Sequence, residues 1–77
     1  KQECDFIIVH KNKVISALQV VAWLDEENQE REMKGLLEAL TEHHLKEGII
    51  LTEDQEERRV IQGKTIAVLP IWKWLLT

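Results

Sequence analysis

The chain predicts a small α/β domain, α+β in its layering, with a mixed sheet and the element order ββαβββα. Three observations carry that reading. Two β-branched runs, 6–9 and 14–23, are separated only by the polar residues His10, Lys11, Asn12 and Lys13, which is a hairpin signal. Met33, Leu36, Leu37 and Leu40 recur at i, i+3, i+4 and i+7, which is one apolar stripe of a helix. A further apolar run, 48–52, follows that helix, and strand–helix–strand is the βαβ unit of a parallel pair.

Each element has its own signals. For the first hairpin two registers are open. A three-residue turn, Lys11-Asn12-Lys13, pairs His10 with Val14 and sets Asp5 opposite Gln19. A two-residue turn, Lys11-Asn12, sets Asp5 against Leu18 and sends Gln19 to the other face. The run 14–23 is apolar on both faces, which predicts a central strand covered on both sides, the spine of the sheet. Asp25 offers an N-cap, with Glu26 and Glu27 in the first turn where the helix dipole favours negative charge. His43, His44 and Lys46 suit the C-terminal turn, with Gly48 positioned to close it. The strand over 48–52 then calls for a right-handed parallel crossover. The acidic stretch 53–57 reads as a solvated connector, and 58–61 and 64–69 flank Gln62-Gly63 as a second hairpin. Pro70 fits the N1 position of a short closing helix over 71–76.

Composition bounds what such a chain can be. Seventy-seven residues make one small domain, and 44% hydrophobic with 31% charged residues is globular and not disordered composition. So small a core predicts marginal stability unless a partner contributes. The lone Cys4 rules out an internal disulfide and points to a reducing, cytoplasmic setting. No stretch approaches the roughly 20 apolar residues of a membrane span, and the first residues lack a signal-peptide core. Starting at Lys1, just before a strand, the chain reads as a fragment of a longer polypeptide. Twelve of its 14 acids lie between Asp25 and Glu57, and a net charge of −4 gives no global basic footprint. Lys11, Lys13, Arg58 and Arg59 are the candidate nucleic-acid contacts, although such two-residue clusters are commonly solvated turn or edge residues.

Three segments, Glu3-Cys4-Asp5-Phe6-Ile7-Ile8, Leu18-Gln19-Val20-Val21, and Gly48-Ile49-Ile50-Leu51-Thr52 followed by Gly63 through Pro70-Ile71-Trp72-Lys73-Trp74-Leu75-Leu76, carry a family likeness. They resemble the C-terminal domain of unknown function, similar to PD-(D/E)XK nucleases, found in a large bacterial and archaeal family of predicted AAA-type ATPases. The likeness spans nearly the whole chain, and the terminal tryptophan pair is its most specific element. It implies a degenerate restriction-endonuclease-like fold and an ATPase module preceding this domain. Gly35, Gly48 and Gly63 are too widely spaced for a phosphate-binding loop, so ATP hydrolysis does not belong to these residues.

In the resembled superfamily an Asp and a (Asp/Glu)-x-Lys converge on a divalent metal, and the matching positions here are Asp5, Gln19 and Val21. A neutral amide is a poor Mg²⁺ ligand, and valine neither holds nor donates a proton. The carried-over site therefore predicts no catalysis. Glu3 and Asp5 remain candidates for residual Mg²⁺ binding against a vestigial polar edge. The chain accordingly reads as an accessory or interaction domain whose partner is the ATPase module or a second copy. The alternatives are a divalent-metal-dependent DNA nuclease and a non-catalytic DNA-binding module.

Other residues invite chemistry less. Adjacent His43 and His44 diverge by roughly 100° on a helix and do not grip one metal together. Cys4 sits between Glu3 and Asp5, whose charges disfavour its thiolate. Trp23 reads as a packing residue. On the last helix Trp72, Leu75 and Leu76 share a face and Trp74 points elsewhere, so self-packing competes with a partner-binding patch of Trp72, Trp74 and Leu75.

Overall fold

A computed structural model describes residues 4–76. It is a five-stranded mixed sheet with one longer helix and one short C-terminal helix: β1 Phe6–His10, β2 Lys13–Val20, α1 Gln29–Glu42, β3 Glu47–Thr52, β4 Glu57–Ile61, β5 Lys64–Pro70 and α2 Ile71–Leu75. The order across the sheet is β1-β2-β3-β5-β4. The two hairpins are antiparallel, and β2, β3 and β5 run parallel.

Both hairpin turns are two-residue turns with positive φ at each position, Lys11 and Asn12 in the first, Gln62 and Gly63 in the second. That mirror-image turn twists the way strands twist, which is why it favours Asn and Gly. In the first hairpin His10 pairs with Lys13, yet Phe6 pairs with Leu18, because Ile15 is an extra residue bulged out of β2. The shorter turn and the bulge together restore the register that sets Asp5 opposite Gln19.

Four sequence expectations are corrected. The spine of the sheet is β3, whereas β2 lies one strand from the edge with Ile15 and Val20 exposed. The helix starts at Gln29: Asp25 Oδ1 accepts the N–H groups of Glu27 and Asn28 and winds a separate turn before Asn28, the N-cap. The same helix closes at His44 (φ 57) and not at Gly48, with Leu45 N–H donating to Leu40 O and His44 N–H to Thr41 O. Pro70 is the last residue of β5 and the N-cap of α2, one position earlier than N1.

The core is one layer between α1 and the sheet: Leu36, Leu40, Ile50, Ile66 and Val68 are fully buried, with Ala17, Leu24, Met33 and Ala39 around them. This matches the predicted stripe of α1, with Leu37 half-buried at its margin. Gly48 lies in β3 beneath Leu36, where a Cβ would approach the Leu36 side chain at 3.0–3.1 Å. Close approach of helix to sheet, and not helix closure, is what that glycine serves.

Candidate functional site

Of the three positions carried over from the nuclease pattern, Asp5 and Gln19 are brought together and spent on the backbone, whereas the half-buried Val21 packs against the core. Asp5 N–H donates to Gln19 Oε1 at 2.6 Å, and Asp5 Oδ2 accepts Val20 N–H at 2.9 Å. Gln19, only 3% exposed, also donates from Nε2 to Glu32 O of α1 at 3.4 Å. Asp5 and Gln19 thus form a latch that ties the start of β1 to the end of β2 and to the helix. Glu3 lies outside the described residues. Among the described residues no three His, Cys, Asp or Glu side chains gather within reach of one metal ion.

Cys4 joins this latch. It is half-buried, and its thiol donates within 3.1 Å of Leu18 O. Burial pushes its pKa up from the ordinary 9.0, and the Asp5 carboxylate adds to that in smaller part. The sequence named the acidic neighbours; desolvation is the larger cause. Because the folded thiol ionises later than the unfolded one, its contribution to stability is complete below about pH 9 and is lost as pH rises through the raised folded value. Chemical unfolding from pH 7 to 10.5 is expected to show a loss of stability above pH 9, and Cys4→Ser is expected to remove that part of it. An unchanged alkaline slope in the variant would contradict the assignment.

The basic candidates lie at opposite ends of the sheet order. Lys11 lies in the β1–β2 turn and Lys13 opens β2, whereas Arg58 and Arg59 sit on the far edge strand β4. Arg59 is engaged by Glu57 at 2.7 Å and donates to Gln29 Oε1. His43 and His44 form the end of α1, with His43 beside Glu42.

The closing helix separates Trp74 from Trp72, Leu75 and Leu76, the division its spacing predicts. Trp74 is the half-buried ring, while Trp72 (53% exposed) and Leu75 (68%) face outward with Leu76. Ile71 helps line a shallow pocket of about 240 Å³ with Val20, Val21, Ala22 and Leu51 at the C-terminal ends of β2 and β3. In open α/β sheets, ligands bind outside the carboxyl ends of the strands. Trp23, also exposed, follows directly on that lining.

Sequence reasoning missed what holds this end in place. Gln55, inside the stretch read as solvated, accepts Leu24 N–H at 2.7 Å and donates to Leu24 O at 2.8 Å, so one side-chain amide mimics a strand partner. Thr52 Oγ1 accepts Gln55 N–H, and Lys73 of α2 pairs with Glu56. A lone Gln among acids carries no local signal of a contact 31 residues away. Comparison with family models, curated proteins and solved structures returns no match for this chain. Among the described residues no helix is long and apolar enough to cross a membrane.

Proposed function

We propose that this chain is a cytoplasmic, non-catalytic interaction domain, an accessory module of the AAA-type ATPases it resembles, with a degenerate nuclease-like scaffold. Its docking surface is α2 and the pocket beside it, and its partner is the ATPase module. The observation that carries this reading is the outward placement of Trp72 and Leu75 next to the apolar ends of β2 and β3. Large rings left outside so small a core are the residue types that anchor interfaces. The engagement of Asp5 and Gln19 by backbone and by each other supports the same reading.

Mixing this domain with the ATPase module as separate polypeptides tests it. Binding is expected, with hydrogen-exchange protection at 71–76 and 20–23, and Trp72→Ala is expected to weaken it about 30-fold. Absence of binding, or protection confined to other segments, would overturn the assignment. Localised amide shifts of Asp5 and Gln19 in millimolar Mg²⁺ or Mn²⁺, together with DNA cleavage, would replace it with a nuclease.

A further inference from the structure

The two edges of the sheet are built differently. β4 carries Glu57, Arg58 and Arg59 among five residues, the charged composition that keeps edges from pairing. β1 is Phe-Ile-Ile-Val-His with no Lys, Pro, Asp or Glu, and Phe6 (56%) and Val9 (58%) are exposed. The extra residue of the bulge lies on β2, so the backbone of β1 itself stays regular along its free side.

We propose that β1 pairs antiparallel with β1 of a second copy, with Ile8 on the twofold axis, to give one continuous ten-stranded sheet across a homodimer. In an edge strand the outward hydrogen-bonding groups belong to alternate residues, so two copies can exchange bonds only where partner numbers sum to an even value. The sum that overlaps all five residues of β1 is 16. It sets Ile8 on Ile8, Ile7 on Val9 and Phe6 on His10 of the second copy. One step further, it sets Asp5 beside Lys11 of the second copy, and symmetry supplies that opposite-charge pair twice.

This charge match selects the occupant. Self-pairing of β4 about its middle residue would bring Arg59 onto Arg59. Pairing β1 with β4 of another copy is heterologous, giving a ring or an open filament and not a twofold dimer. The β1–β1 contact is isologous and buries the apolar edge at a stroke. It goes beyond the docking surface proposed above, which is formed by residues 20–22, Leu51 and α2 and not by the free edge of β1.

Sedimentation equilibrium from micromolar to about 1 mM, with hydrogen exchange at both limits, tests the dimer. A monomer–dimer equilibrium is expected, with alternate amides of β1 gaining protection as concentration rises and dissociation favoured by added salt. Val9→Lys, at an exposed position, is expected to raise Kd at least about tenfold, and Lys11→Asp, which Asp tolerates at positive φ, about tenfold. Trp72→Ala is expected to leave Kd unchanged. A monomer throughout that range would overturn the proposal. A dimer indifferent to both β1 variants, or one abolished by Trp72→Ala, would overturn it equally, whatever the fate of the ATPase-docking reading.

Discussion

Leu36→Ala is expected to destabilise the domain by about 3 kcal/mol and to lower Tm by roughly 15 °C. Leu36 is fully buried and is the side chain that rests on Gly48 of β3, so no neighbouring Cβ stands ready to fill the space it leaves. The transfer term and the residual cavity therefore add. A 77-residue domain has roughly 4–11 kcal/mol in total, so the variant sits close to unfolding at 37 °C. Urea unfolding followed by circular dichroism checks this: the midpoint is expected to fall with an unchanged slope. Leu36→Met, which conserves volume, is expected to cost less than half as much. A loss below about 1 kcal/mol for the alanine variant would mean that the helix–sheet contact is not organised around this residue.

Gln19→Glu is the second large effect, and its size depends on pH. The substitution restores the carboxylate of the nuclease pattern at a position 3% exposed. Its oxygen still accepts the Asp5 N–H, but the donor to Glu32 O is gone, and two oxygens then face each other across that gap. At pH 7 a cost of about 2–3 kcal/mol is expected, from a buried charge and a lost hydrogen bond. Burial raises the pKa of the new carboxyl above its unfolded value near 4.3. The raised value means that its unfavourable effect is absent below about pH 4 and grows as pH rises through the folded value. Stability of the variant relative to the parent, measured at pH 4 and pH 7, is expected to recover in acid, where the protonated carboxyl can donate to Glu32 O. A variant as stable as the parent at pH 7 would show that the latch tolerates a charge. It would also revive the case for metal at this position.

The elements were legible because their signals are local. The stripe Met33, Leu36, Leu37, Leu40 needs only helical period, and the Gln62-Gly63 turn needs only the cost of positive φ. The element order, the parallel pairing of β2 with β3 and both hairpins followed from such signals. Boundaries did not follow so well. Asp25 is a good cap in any sequence, and whether it caps a helix or a preceding turn depends on where the chain must enter the layer of α1. His44 closes the helix although Gly48 is nearby, because Gly48 is held in β3 by the approach of Leu36.

The candidate site divides in the same way. That Asp5, Gln19 and Val21 depart from a hard-ligand set is a statement about residue types, and the sequence by itself determined it. It also determined the apolar layer and the absence of an internal disulfide, because side-chain chemistry does not depend on neighbours; which strands became the edges, and so their unequal charge, was settled by the sheet order. Only the tertiary structure decided what those residues touch. The register that joins Asp5 to Gln19 required a bulge at Ile15 that no local pattern announces, since one extra residue reverses every facing relation beyond it. The outward turn of Trp72 and the inward turn of Trp74 were likewise set by how α2 leaves β5, with Lys73 held by Glu56. Local chemistry fixes which groups are present; long-range packing fixes which of them remain free to meet a partner.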